Sequence, residues 1–259
     1  VHIVKKKIIK LLLPIAIIVG WELISITIDN PWKLPLLETI ITILADPTKK
    51  LLGTGSLLEN TYFSLKRVFL GFALACGIAI PLGIFMGWWT RIGDLFDYTI
   101  EVLRPIPPLA WIPLILAWFG LGLRSSIIII FIGAFFPILV NTIEGVKNVN
   151  TGLIEVAKTF KAGEYQILRK IVIPSAAPYI VTGLRIGMGI AWMCLVAAEM
   201  MPGIAPSGLG YLIWQANYIG NVSIIIAGIV YIGVIGLAID RTFKFVEKRY
   251  FSWRNVKHT

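Results

Sequence analysis

The sequence predicts an all-α, polytopic membrane fold of about six transmembrane helices, and three observations carry that prediction. Hydrophobic residues fill 57% of the 259 positions, and the mean hydropathy is +0.83. Charged residues make up only 15%, against about a quarter in soluble domains, which leaves too little polar surface to coat a water-soluble fold. Finally, the apolar residues gather into six runs, each near the roughly 20 residues needed to cross a hydrocarbon core.

The first run, about Ile8 to Ile28, follows Lys5, Lys6, Lys7 and Lys10. Its basic start resembles a signal peptide, but the run is long and no small-residue cleavage site follows, so it is read as a retained anchor helix. Residues 29–57 are mixed; Leu36, Ile40, Ile41 and Leu44 recur at helical spacing, which predicts a short amphipathic helix at the interface. The second span is expected at about Tyr62 to Trp88, the third at about Phe96 to Phe119, and the fourth at about Ser125 to Val146. After a charged gap come the fifth, about Ala177 to Met201, and the sixth, about Val222 to Phe243. The expected division is an anchor and external amphipathic segment over 1–56, a core over 57–250 whose gap spans 147–175, and a tail over 251–259.

Six crossings put both termini on one side, and the basic residues choose the side. The segments on the side of the N-terminus hold Lys5, Lys6, Lys7, Lys10, Arg91, Lys147, Lys158, Lys161, Arg169, Lys170, Arg241, Lys244, Lys248, Arg249, Arg254 and Lys257. The opposite segments hold Lys33, Lys49, Lys50, Lys66, Arg67 and Arg124, while Arg104 and Arg185 fall within or beside spans. Cytoplasmic loops carry the excess of Lys and Arg, so both ends are expected in the cytoplasm of a cell-membrane protein. The net charge of +10 is then loop anchoring rather than nucleic-acid binding. Trp21, Trp88, Trp89, Trp118 and Trp253 mark span ends.

Several function classes drop out. The length leaves no room for an ATPase domain, and no GxxxxGK[ST] loop occurs, so any nucleotide energy comes from a partner. Cys76 and Cys194 lack metal-ligand spacing, and His2 and His258 sit at the extreme ends. An intramembrane metalloenzyme therefore has no ligands, no nucleophile–base pair stands out, and no cofactor is expected. An ion-driven secondary carrier or channel remains the alternative; it calls for matching halves with broken helices, and no internal repeat is visible.

The gap between spans four and five reads VKNVNTGLIEVAKTFKAGEYQILRKIVIP. Ile154, Ala157, Phe160 and Lys161 keep helical spacing, as do Tyr165, Leu168, Ile171 and Val172. Two short amphipathic helices parted near Ala162–Gly163 follow. Their apolar ridge fits either a partner's groove or the inner leaflet, and periodicity alone leaves both open.

The residues as written resemble a known pattern. Glu155, Val156 and Ala157, followed by Ile171, Ile173 and Pro174, are similar to the EAA loop of ABC importer permeases with its I-x-(L/I)-P tail. LRPIPPLAWIPLILAWFGLG (Leu103 to Gly122), TGLRIGMGIAWMCLVAAEM (Thr182 to Met200) and SLKRVFLGFALACGIAIPLGIFMG (Ser64 to Gly87) resemble the nitrate/sulfonate/taurine/bicarbonate permease group. The likeness covers roughly 57–250 and implies a type I importer permease that hydrolyses no ATP itself. It also implies two ATPase subunits, a second copy of the chain and an extracytoplasmic solute-binding protein as partners in the lipid bilayer. Ile154, Glu155, Ala157, Phe160, Lys161, Gly163 and Pro174 would form the ATPase-coupling surface. One departure stands out: the family's usual glycine six residues after the glutamate is Lys161 here.

Within the spans, Arg104-Pro105-Ile106-Pro107-Pro108 cannot form an uninterrupted helix, because each proline removes a donor and clashes with the preceding turn. Irregular backbone at membrane depth needs protein or a water-filled cavity to cover it. Arg104, Pro105, Pro107, Pro108, Arg185 and Glu199 are accordingly the candidates for a translocation path; the alternatives for Arg185 are to neutralise Glu199 or Glu101, or to sit near the cytoplasmic interface, which its place soon after Lys170 fits as well. Glu22 is expected to be structural. Gly71, Gly77, Gly83, Gly87, Gly183, Gly187 and Gly189 are read as helix packing, and Pro202 to Gly210 as a turn-rich loop suited to an external gate.

Overall fold

A computed structural model describes residues 2–250. The tail 251–259, with Trp253, Arg254, Lys257 and His258, lies outside the described residues, as do the side chains of Lys5, Lys6, Lys7 and Lys10. In chain order the helices are α1 (His2–Ile28), α2 (Leu37–Ala45), α3 (Leu57–Trp88), α4 (Thr90–Leu103), α5 (Ile112–Phe119) and α6 (Leu123–Lys147). They continue with α7 (Thr151–Thr159), α8 (Glu164–Ile167), α9 (Ile173–Glu199), α10 (Leu209–Tyr218) and α11 (Val222–Tyr250). By length and composition α3, α6, α11 and the unbroken run Glu164–Glu199 are able to cross a membrane. The bent pair α4–α5 makes a fifth crossing, and α1 adds the apolar stretch Leu12–Ile28.

Glycines fix the direction of the three central helices. A Cβ on Gly71 would lie 2.6 Å from Ile130, one on Gly83 2.7 Å from Thr142, and one on Gly87 2.6 Å from Val146. Both numbers rise together, so α3 and α6 run parallel in close backbone contact. Ala75 and Ala79, both fully buried, continue the same row at four-residue spacing. Between α6 and α9 the order reverses: Gly145 abuts Tyr179, Gly183 abuts Asn141, and Gly133 abuts Cys194. α9 is thus antiparallel to both. Gly77 and Gly189, expected to pack, face open space.

Parallel neighbours demand a return crossing, and α4–α5 supplies it. The expected third span begins earlier than Phe96, at Thr90, and is interrupted at the prolines as their chemistry requires, its two helices meeting at 86°. Pro105, Pro107 and Pro108 supply no backbone N–H, and Pro108 opens a short 3-10 turn (Pro108–Trp111) leading into α5. α4 also carries Asp94, Asp97 and Glu101 at helical spacing, followed by Arg104 just past its end, a polar stripe that sets it apart from the apolar α5.

The fifth span differs as well. The second of the two short helices is not separate: α8 joins α9 through a π-helical turn (Leu168–Val172), in which the Ile173 N–H bonds to Leu168 O. Pro174 has no N–H to offer Lys170 and its ring crowds that carbonyl, which accounts for the widened turn. The sixth span outruns its expected end at Phe243 and continues to Tyr250.

One end of the bundle, the loop end, gathers residues 29–56, 120–122 and 201–221. Trp32 packs on Gly220 and Leu121 on Gly203. α1 reaches this end with its C-terminus: Trp21 Nε1 donates to Pro35 O at 3.1 Å and Ser25 Oγ to Leu34 O at 2.9 Å. Glu22 accepts from the Leu37 N–H at 3.0 Å, capping α2, which has no capping side chain of its own. α3 starts here with a capping box between Ser56 and Glu59. The opposite, ridge end carries the turn after α3, the start of α7 and the run into α9. Val146, Val149, Ile167, Val172 and Ala176 form a buried cluster there.

Candidate functional site: the inner ridge, the proline groove and a buried ion pair

Asn150 caps α7, its side chain accepting from the Gly152 N–H at 2.8 Å. At the other end the Ala162 N–H bonds to Ala157 O at 3.1 Å and the Lys161 N–H to Lys158 O at 2.8 Å. That pair of bonds is a Schellman closure, which places its C′ residue in the left-handed region. The C′ residue is Lys161, with φ +59°. So the family's glycine position keeps the glycine conformation although a lysine stands in it.

The structure also corrects which face of α7 is presented. Ile154 and Ala157, expected on the docking surface, are half-buried against the cluster around Val146 and Ile167. Leu153, Val156 and Phe160 take the free face, with Tyr165 beyond the turn; Phe160 is 83% exposed and Tyr165 71%. Glu155, Lys161 and Gly163 are also exposed, and Gly163 opens α8 with nothing within 4 Å of a Cβ built on it. Pro174 borders a shallow hollow of about 340 Å³ with Leu153, Lys170, Ile171 and Ser175. Four large apolar side chains thus stand exposed on one surface, with Glu155, Lys158 and Lys161 beside them.

The proline break lines two cavities beside α6. One of about 560 Å³ is bordered by Asp97, Ile100, Glu101, Arg104, Pro105, Val140 and Ile143. The other, about 280 Å³, has Arg104, Ile106, Pro108, Pro137, Val140, Asn141, Ile186 and Ile190 in its wall. Arg104 and Val140 border both. Pro107 lies between, its carbonyl accepting from the Ala110 N–H at 2.9 Å.

Arg185 and Glu199 are not brought to this groove or to each other. Arg185 Nε pairs with Asp240 at 2.8 Å and Nη1 with Glu247 at 3.5 Å, binding α9 to α11. Lys244 shares Asp240 at 2.7 Å. Glu199 is fully buried and faces α3. Its carboxylate accepts from Arg67 Nη1 at 2.7 Å, from Ser64 Oγ at 2.8 and 2.9 Å, and from the Gly210 N–H at 3.1 Å. Arg67 also donates to Ser207 O at 2.6 Å and, through Nη2, to Ser207 Oγ at 3.0 Å. Asn60 Oδ1 accepts from the Gly208 N–H at 2.7 Å, and Ser64 Oγ from the Leu209 N–H at 3.0 Å. Gly208 has φ +124°, and a Cβ there would collide with the Glu199 carboxylate.

This network was missed at the level of sequence. Arg67 counts by sequence among the outer basic residues at the head of the second span, but α3 begins at Leu57 and carries it buried, 7% exposed, within its third turn. An arginine beside Lys66 leading into an apolar run is the available signal. The glutamate it pairs with lies 132 residues away.

A bundle of apolar crossings, a groove bordered by Asp97, Glu101 and Arg104, and an exposed apolar ridge at one end are the features of a membrane-embedded helical protein. Comparison with known proteins agrees. Residues 79–252 match the model of the binding-protein-dependent transport system inner membrane component family, and the chain belongs to that family. Two provisionally named relatives align over nearly the whole chain. An ABC transporter permease protein of Methanocaldococcus jannaschii is 54% identical, covering 97% of this chain and 94% of that one. An aliphatic sulfonates transport permease protein of Bacillus subtilis is 35% identical, covering 95% and 87%. Permease proteins named for nitrate import, taurine transport and bicarbonate transport match too. Among solved structures, a chain of the MetNI methionine ABC transporter in an inward facing conformation superposes with TM-score 0.63 at 21% identity, covering 74% of this chain and 95% of that one. The protein is therefore the membrane-spanning permease subunit of an ATP-driven importer. ATP hydrolysis resides in a separate subunit, and a solute-binding protein belongs to the system.

Proposed function

We propose that this permease moves a small anionic solute, of the nitrate, sulfonate, taurine or bicarbonate kind, by alternating access. Two copies of the chain pair with two ATPase subunits, and the binding protein delivers solute at the loop end. Both termini and the ridge end face the cytoplasm. Support for that orientation comes from Arg91, Lys147, Lys158, Lys161, Arg169, Lys170, Arg241, Lys244, Lys248 and Arg249, which lie toward the ridge end, against Lys33, Lys49, Lys50 and Arg124 toward the other. Residues 57–250 act as the transport core, 1–56 as anchor and external amphipathic segment, and 251–259 as a cytoplasmic tail.

The observation that carries the reading is the exposed face of Leu153, Val156, Phe160 and Tyr165: the first three on α7 and its cap, closed by a hydrogen-bonded turn, the last on the run Glu164–Glu199 that continues into α9. The ATPase grips this face. Glu155, Lys161 and Gly163 rim it, Ile154 and Ala157 lock it to the core, and Pro174 marks where it joins the crossing. Closure of the ATPases then tilts α9 and reshapes the groove at Arg104, Pro105, Pro107 and Pro108. The Arg104 guanidinium suits an oxyanion, which it binds through forked hydrogen bonds.

Phe160→Asp tests the docking face. The variant is expected to insert at wild-type levels, yet to lose ATPase subunits on co-purification and to lose uptake in proteoliposomes. Retention of the ATPase at wild-type stoichiometry would refute the assignment. Arg104→Ala tests the path, with uptake expected to fall while ATPase assembly persists.

A further inference from the structure

The buried cluster around Glu199 lies at the far end of the helix that the ATPase is proposed to move, and nothing in the groove or the ridge uses it. We propose that Arg67 and Glu199, with Ser64 and Asn60, are positioning residues for transport. They clamp the loop 200–208 between α3 and the end of α9, so that displacement of the ridge arrives at that loop instead of dissipating in it.

The geometry supports a transmission joint. The run Glu164–Glu199 is 36 residues long, roughly 54 Å at 1.5 Å per residue, and Glu199 is its last residue. A flexible loop attached there would absorb a small tilt. This loop has little freedom. Ser207 and Gly208 of the loop, and Leu209 and Gly210 that open α10 directly after it, are each held by a hydrogen bond to α3 or to Glu199. Ile204 is buried with Ile112 and Ile115 of α5, and Leu121 packs on Gly203. The loop therefore bears on α5, the crossing whose base holds Arg104. Met201, Pro202, Gly203 and Pro206 remain exposed on the outer side, where a solute-loaded binding protein arrives.

The chemistry points the same way. A buried ion pair is a poor device for stability alone, because desolvation opposes the Coulomb gain, and apolar replacements often do as well or better. What it supplies here is direction. The guanidinium fork binds Glu199 and both oxygens of Ser207 at once, fixing the angle between α3, α9 and the loop as an apolar contact does not. Gly208 has no side chain where a Cβ would displace the carboxylate.

The inference rests on the docking reading above, and its test separates the two. The full complex is reconstituted in proteoliposomes with its ATPase subunits and binding protein. Basal ATP hydrolysis, hydrolysis with loaded binding protein, and solute uptake are measured for wild type, Ser64→Ala, Arg67→Lys and Arg67→Ala. We expect Arg67→Ala and Ser64→Ala to reduce stimulation by the binding protein by fivefold or more, the lower range of allosteric coupling being about fivefold. Basal hydrolysis stays near wild type, and Arg67→Lys recovers part of the stimulation. Should Arg67→Ala fail to assemble, Ser64→Ala, which leaves the ion pair in place, decides. Wild-type stimulation in Ser64→Ala would overturn the proposal, as would basal and stimulated rates falling in the same proportion. A wild-type chain that never binds an ATPase sinks the docking reading and this proposal with it.

Discussion

Lys161 is the position at which backbone and side chain disagree most openly, and replacing it with glycine gives a signed, measurable effect. A non-glycine residue in the left-handed region carries a steric cost of about 1–2 kcal/mol, and Lys161 sits there at φ +59°. Glycine removes that cost but enlarges the freedom of the unfolded chain, offsetting about 0.5–1 kcal/mol. The net gain for Lys161→Gly is about 0.5–1 kcal/mol, which equals roughly a two- to fivefold smaller population of the opened turn. The lysine side chain makes no ion pair among the described residues, so little is lost with it. Hydrogen exchange followed by mass spectrometry on the peptide around 157–165 reads the effect directly, since the amides of Lys161 and Ala162 close the turn. Two- to fivefold slower exchange at those amides is expected, with the rest of the chain unchanged. Lys161→Val, β-branched and worse in this region, should exchange faster than wild type. Equal or faster exchange in the glycine variant would refute the argument from backbone strain.

Other perturbations test the packing and the caps. Gly83→Val puts a branched side chain where even a Cβ lies 2.7 Å from Thr142 and 3.1 Å from Leu139 O; it should cost about 1–3 kcal/mol and lower the melting temperature in detergent, whereas Gly77→Ala, facing open space, should not. Glu22→Ala removes the acceptor that caps α2; a loss of about 1 kcal/mol should appear as faster exchange confined to residues 37–45, and unchanged exchange would count against the cap. Asp240→Asn leaves Arg185 with Glu247 alone; the groups are about a third exposed, and since such pairs contribute at most ~1 kcal/mol, melting should shift only slightly, a large drop showing that burial in the bundle strengthens the pair.

Much of the fold was legible because lipid imposes a single demand, a long apolar helix, that leaves a plain mark in sequence. The six apolar runs, the amphipathic α2 and the break at the prolines were all read from that mark. What stayed hidden required knowledge of neighbours. α7 is apolar on two sides, with Ile154 and Ala157 on one and Leu153, Val156 and Phe160 on the other. Periodicity locates both stripes but does not say which one the core takes. The fusion of α8 to α9 was hidden for a different reason: Ala162–Gly163 marks one break, and Ile173–Pro174 imitates a second that a π-helical turn bridges. Least visible was the Arg67–Glu199 pair, since charges 132 residues apart leave no local pattern, and a glutamate followed by Pro202 and Gly203 looks like the start of a loop.

The two ends of the helix that begins at Glu164 and finishes at Glu199 are built on opposite chemical terms, and that asymmetry follows from what each end must touch. At the ridge end, large apolar side chains are left uncovered: Phe160 and Tyr165 are mostly exposed. Apolar contact is non-directional and gains strength with area, which suits a surface that must be covered by another subunit. At the loop end the reverse holds. Both carboxylate oxygens of Glu199 have partners within the chain, and the nearest backbone N–H groups are committed to Asn60, Ser64 and Glu199 itself. Directional bonds in a dry setting tolerate little angular error, so that end is suited to keep its shape while it is moved. On the docking proposed above, a helix bound at one end and fixed in angle at the other carries force between subunits on opposite sides of a bilayer.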